Sequence, residues 1–166
     1  MRKENTALFV YLALAACATA CFAAGGYSPR NDERPFKERT EYIVLHTTEG
    51  PRDGSLTKIY YNGEAHFFVD GQGRIYKIID PDKVAYHAGR SMWNGRSNVD
   101  EFSIGIEIVG YYDKNITEGQ YKAIKTLLEY LKEKYGIPDE KVLTHSMVAY
   151  GSPNSWHRKP QRGRKR

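Results

Sequence analysis

The chain has 166 residues and a formal net charge of +5. This length predicts a single domain, and a composition of 40% hydrophobic and 27% charged residues excludes an intrinsically disordered protein. The positive charge alone would suggest a partner that is a nucleic acid. However, six basic residues and no acidic residue lie between Arg158 and Arg166, so the rest of the chain is close to neutral. We therefore expect no nucleic-acid partner.

The N-terminal segment has the pattern of an export signal. Two basic residues precede an unbroken apolar run from Ala7 to Ala18, which has the length of a signal-peptide core and is too short to cross a bilayer. Two cleavage sites are compatible with the sequence: a lipobox ending at Cys17, which would yield a lipoprotein, and an ordinary site near Ala24. We expect residues 1–23 to direct export to the periplasm, to the outer membrane or out of the cell. Any membrane contact would then be through a lipid anchor.

The remaining chain alternates between strand and helix patterns. Polar residues 24–40, which include Gly and Pro, predict a linker, and residues 41–166 predict the folded domain. The predicted elements are a strand over 42–46, a helix over 55–61 capped by Ser55, a hairpin formed by 66–70 and 74–79, a loop over 80–102, a strand over 102–109, a helix over 118–135 and a strand over 141–144. This order predicts a single α/β domain, with a mixed central β-sheet and helices packed on it.

Histidines at the ends of two predicted strands carry the chemical signal. His46 and His145 each follow an apolar run and open a loop, and loops at strand ends are where α/β proteins build their sites. Neutral imidazoles on rigid strand ends suit Zn²⁺. Glu107 is an acid within an otherwise apolar strand, on the face opposite the isoleucines. It is therefore either solvated or a carboxylate that shuttles protons in a cleft.

Five segments, occurring in the same order and at similar spacing, resemble the zinc-dependent N-acetylmuramoyl-L-alanine amidases. This type 2 amidase group includes the peptidoglycan recognition proteins. The segments are Ile43–Thr48 (IVLHTT), Ala65–Tyr76 (AHFFVDGQGRIY), Tyr86–Gly89 (YHAG), Ser103–Glu107 (SIGIE) and Thr144–Ser146 (THS). The resemblance runs from about residue 42 to residue 166, and so covers nearly the whole predicted domain.

The resemblance implies an enzyme that hydrolyses the amide bond between N-acetylmuramic acid and L-alanine in peptidoglycan or in muropeptides. His46 and His145 would bind Zn²⁺. Glu107 would take a proton from the attacking water and pass it to the leaving amine, and Lys165 would face the oxyanion.

The resemblance also assigns cleft and hairpin residues. Tyr86 and His87 would line the substrate cleft, and Trp93 would stack on a sugar ring, although each of the three could equally be an ordinary loop residue. His66 would support the hairpin core rather than bind metal.

One departure concerns the third zinc ligand, which in this family is an Asp or Cys that follows a Gly-Arg-Lys run. Here the run is Gly163–Lys165, and the matching position would fall one residue after Arg166. We expect a domain truncated at its C-terminus, or a substitute ligand such as His157. An incomplete site would also fit a non-catalytic peptidoglycan-binding module of the same fold. A second departure is Ala65, which stands where some phage relatives carry a catalytic Tyr, so that Glu107 would act alone.

Overall fold

The computed structural model describes residues 26–150. The predicted export signal with Cys17 lies outside the described residues, as do His157 and Lys165. Within the described part, no helix is long and apolar enough to cross a membrane.

A five-stranded mixed sheet forms the centre of the domain. The strands of the described residues, in chain order and including two outside this sheet, are β1 (Tyr42–Thr47), β2 (Phe67–Val69), β3 (Ile75–Lys77), β4 (Met92–Trp93), β5 (Arg96–Ser97), β6 (Ser103–Ile108) and β7 (Val142–Thr144). The sheet order is β3-β2-β6-β1-β7, in which only β3 runs antiparallel to its neighbour, and β4 pairs with β5 in a separate two-stranded ladder. The predicted α/β fold with a mixed sheet is confirmed.

In the described part of the chain, three α-helices accompany the sheet. They are α1 (Arg52–Asn62), α2 (Glu118–Tyr135) and the single turn α3 (His145–Val148). Helix α2 has the bounds that its pattern predicts. The side chain of Thr117 accepts a hydrogen bond from the backbone of Gln120, whose side chain in turn accepts one from the backbone of Thr117. At the other end, Gly136 takes the left-handed conformation that ends many helices.

The two faces of β6 have different surroundings, because side chains alternate along a strand. Ile104, Ile106 and Ile108 pack with the buried face of α2 in one apolar cluster. Ser103 and Gly105, which alternate with them, are also buried, while Glu107 is partly buried. The predicted alternation therefore holds, and the polar face is covered by protein rather than by solvent.

Three local predictions are corrected. Helix α1 begins at Arg52 rather than Ser55, because the backbone N–H of Ser55 already donates to the carbonyl of Pro51 in the first helical turn. The loop predicted over 80–102 contains the β4–β5 ladder and a 3₁₀ turn at Val99–Phe102.

The predicted linker over 24–40 is the third correction, because much of this segment packs on the domain. The N–H of Ser28 donates to the carbonyl of Ile78, and the N–H of Lys37 donates to that of Asp82. Asn31–Glu33 forms a 3₁₀ turn. The polar composition predicts a solvated tether, but main-chain and side-chain hydrogen bonds hold this segment on the domain.

Candidate active site

The sheet register brings the two predicted histidines and the predicted acid together. His46 on β1 lies opposite Glu107 on β6, and Leu45 lies opposite Thr144 on β7. His145 follows Thr144 directly and is exposed, with its ring centroid 4.9 Å from that of His46. Glu107 Oε1 is 3.9 Å from His46 Nδ1. Three neighbouring strands, β6, β1 and β7, thus bring two imidazoles and one carboxylate to a single place.

Burial sets the charge states of this group. His46 is 6% exposed, and burial, reinforced by the neighbouring His87 and His145, holds its pKa well below the usual value for histidine. Its imidazole is therefore uncharged near neutral pH, as a metal ligand must be. Burial also raises the pKa of Glu107 to about 8. A carboxyl group with a raised pKa is suited to exchanging protons near neutral pH.

His87 is placed differently from the prediction. Its side chain has no exposed surface, so it does not lie in the cleft where the resemblance implies a substrate contact. Instead its Nδ1 is 3.0 Å from Nε2 of His46. The loop that carries it is held by Asp100, whose Oδ1 accepts hydrogen bonds from the backbone N–H groups of His87 and Ala88 at 2.9 and 2.7 Å. His87 therefore acts on the site through His46.

Gly105 makes room for the His87 ring. A methyl group on Gly105 would lie 2.2 Å from Cγ and 2.5 Å from Cδ2 of His87, far inside van der Waals contact. The imidazole thus packs directly against the backbone of β6. The sequence requires glycine at this position because of a close approach, and not because of an unusual backbone angle.

His66 links β6 to the segment around Lys83, and its support of the hairpin core stays a prediction. Its ring is fully buried, with Nδ1 accepting from the N–H of Gly105 at 2.9 Å and Nε2 lying 2.8 Å from the carbonyl of Lys83. Lys37 lies beside it and donates from Nζ to the carbonyl of Ser103 at 2.8 Å. Burial lowers the pKa of Lys37 to about 7. Sequence reasoning missed Lys37 because it falls in the segment interpreted as a linker.

The remaining two predicted substrate contacts lie in the loop region. Tyr86 is exposed, and the guanidinium of Arg34 sits 4.2 Å from its ring centroid. Trp93 lies on β4 opposite Arg96 and packs, partly buried, against an apolar cluster that includes Phe102. A role for Tyr86 or Trp93 in binding substrate stays a prediction.

The histidine pair fits part of a zinc site. Within residues 26–150, no group of three or more His, Cys, Asp or Glu side chains is placed to hold a metal ion. Catalytic zinc takes three protein ligands and one open position, and His46 and His145 supply two nitrogen donors of the right kind. The third would come from residues that the structure does not describe. Two imidazoles beside a partly buried carboxylate, where neighbouring strands end, define a candidate metal-assisted hydrolase.

Comparison with known proteins places this hydrolase in a family. The family model described as N-acetylmuramoyl-L-alanine amidase matches residues 36–163, well over half of the chain. The chain belongs to the N-acetylmuramoyl-L-alanine amidase family. The predicted family and amide-hydrolase function are confirmed, and the enzyme is favoured over the alternative of a non-catalytic binding module.

Individual relatives agree with this assignment. The 1,6-anhydro-N-acetylmuramyl-L-alanine amidase AmpD of Escherichia coli K12 is 35% identical over 143 residues, which are 74% of this chain and 78% of AmpD. The N-acetylmuramoyl-L-alanine amidase AmiD of the same organism is 26% identical over 170 residues, covering 90% of this chain and 62% of AmiD. A crystal structure of a selenomethionine derivative of AmpD matches with a TM-score of 0.65 and 24% identity, over 87% of this chain and 90% of that one. This last likeness supports the fold.

Proposed function

We propose that the chain cleaves the amide bond between N-acetylmuramic acid and L-alanine in a zinc-dependent reaction, with His46 and His145 as metal ligands and Glu107 as the general base. The observation that carries the proposal is the register of β1, β6 and β7, which brings these three side chains to one point. The names of the relatives favour muropeptides as substrates, including 1,6-anhydro-muramyl peptides.

The proposed mechanism divides the work between the metal and the residues around it. Zinc, when bound, supplies Lewis-acid polarisation of the scissile carbonyl. Glu107 in its ionised form takes the proton of the attacking water and returns it to the leaving amine, and the burial that raises its pKa to about 8 makes its carboxylate a stronger base. His46 stays uncharged because it is buried, and His145 supplies the second imidazole. Lys165, by resemblance, donates to the developing oxyanion, a role worth about 3 kcal/mol in other acyl-transfer enzymes.

Replacing either His46 or His145 with Ala is expected to abolish both zinc binding and muropeptide cleavage, because the site would lose one of its two imidazoles and catalytic zinc takes three protein ligands. Zinc content is measured by mass spectrometry of the purified protein, and cleavage by chromatography of the muropeptide products. Ser146→Ala is the matched control, since this exposed residue follows His145 directly and its side chain contacts Thr144. A His46→Ala or His145→Ala variant that keeps full activity contradicts the proposed ligands.

We propose further that residues 1–23 direct export, with Cys17 as the lipid attachment site. In fractionated cells the full chain is expected in the membrane fraction, and the Cys17→Ser variant in a soluble fraction or unprocessed. Mass spectrometry of the mature N-terminus checks this result. A protein that stays in the cytoplasm with an intact N-terminus contradicts export, and Cys17→Ser protein that is processed like wild type contradicts the lipid attachment alone.

A further inference from the structure

A chain of buried hydrogen bonds begins at a backbone carbonyl and ends at His46. Ser103 Oγ donates to the carbonyl of Val99 at 2.6 Å, which uses its only hydrogen. The contact of 3.1 Å between Ser103 Oγ and Nε2 of His87 must then be a hydrogen bond that the imidazole donates. Asp100 Oδ1, 3.6 Å from the same nitrogen, also favours a proton there.

The proton on Nε2 determines whether Nδ1, the other ring nitrogen of His87, donates or accepts a hydrogen bond. The ring has no exposed surface, and a neutral imidazole that carries its proton on Nε2 accepts at Nδ1. Nε2 of His46, 3.0 Å away, is therefore the donor in this contact. It follows that Nδ1 of His46 has no proton, and this is the nitrogen that lies 3.9 Å from Glu107 Oε1.

We propose that His87 and Ser103 are positioning residues that fix the tautomer of His46, so that its Nδ1 is presented as the metal-binding nitrogen. This inference rests on the proposed function for the identity of the metal. Metal-binding histidines usually donate their second N–H to a carboxylate, a backbone carbonyl or water. Here the acceptor is a second imidazole, whose own tautomer is set by a serine and whose position depends on the close approach to Gly105.

The tautomers can be measured without any metal. Long-range ¹H–¹⁵N correlation spectra of the metal-free full chain near neutral pH are expected to show both His46 and His87 protonated at Nε2. In Ser103→Ala, the Nε2 proton of His87 loses its nearest acceptor, so the spectra are expected to show a mixture of tautomers at His87 and at His46. Ser28→Ala is the matched control, because Ser28 is a buried serine whose Oγ accepts from the N–H of Arg30, outside this chain of hydrogen bonds. It is expected to leave both tautomers unchanged.

Zinc affinity gives a second readout. His87→Leu removes the acceptor for His46 Nε2 and is expected to weaken zinc binding by about 10- to 100-fold, the range seen when such supporting partners are lost. His87→Asn places its amide oxygen close to where Nδ1 of His87 lies, and this variant is expected to keep most of the wild-type zinc affinity. Binding is measured by competition with a chromophoric chelator.

The outcomes separate this inference from the proposed function. A metal-free wild type in which His46 is protonated at Nδ1 overturns the inference, as does an equal loss of affinity in His87→Leu and His87→Asn. A wild type with the expected tautomers that binds no zinc overturns the proposed zinc site and leaves the assigned tautomers in place.

Discussion

Replacing Glu107 with Gln is expected to lower kcat for muropeptide cleavage by a factor of about 10² to 10⁴, the usual contribution of a general acid–base group. The amide of glutamine has nearly the same shape as the carboxyl group but does not take up a proton from water. Because Glu107 is not one of the proposed metal ligands, zinc content is expected to be unchanged. Steady-state kinetics and metal analysis of the same preparation measure both effects.

The matched control is Glu101→Gln, which changes an exposed acid shortly before β6 begins. This variant is expected to keep the wild-type kcat. If Glu107→Gln also kept more than about a tenth of the wild-type kcat, well above the range for loss of a general base, proton transfer would have to be assigned to another group.

Replacing Gly105 with Ala is expected to reduce the free energy of unfolding by about 2–3 kcal/mol, as overpacking of a filled core does. The added methyl group would lie 2.2 Å from Cγ of His87, and the imidazole cannot retreat easily because Asp100 and Ser103 hold its loop and its ring. Urea unfolding followed by circular dichroism measures the loss.

Two further variants show whether the imidazole is the cause. In a His87→Ala background, the same Gly105→Ala change is expected to cost much less, because the atoms it would meet are gone. Gly54→Ala, in helix α1 with no atom within 4 Å of the added methyl group, is expected to stabilise the protein by up to about 1 kcal/mol. Equal losses for Gly105→Ala with and without the imidazole would contradict the packing explanation.

The local elements of this protein are largely predictable from sequence because their signals are local. Helix α2 carries its own capping box and stop signal at Thr117, Gln120 and Gly136, and its bounds agree with the structure. The alternation of residues over β6 predicts which of its side chains pack with the buried face of α2. The apolar runs before His46 and His145 likewise predict that each histidine lies at a strand end, as both do.

The parts that sequence reasoning misses depend on contacts between distant segments. Nothing near His87 indicates that its ring is buried, because the space it occupies is provided by Gly105 on another element. Composition predicts that Lys37 lies in a linker, yet its ammonium group donates a hydrogen bond to the carbonyl of Ser103. In both cases the residue that determines the burial or the contact lies many positions away in the sequence. Neither hydrophobic periodicity nor turn residues indicate such a contact.

The most direct measurement is the product mass spectrum after the full chain acts on a 1,6-anhydro-muramyl tripeptide, with and without a zinc chelator. The expected products are free anhydro-N-acetylmuramic acid and a peptide that begins with L-alanine, and the chelator is expected to prevent both from forming. Uncleaved substrate in the zinc-supplied reaction, cleavage at another bond, or full cleavage after complete removal of zinc would contradict a zinc-dependent amidase built on His46, His145 and Glu107.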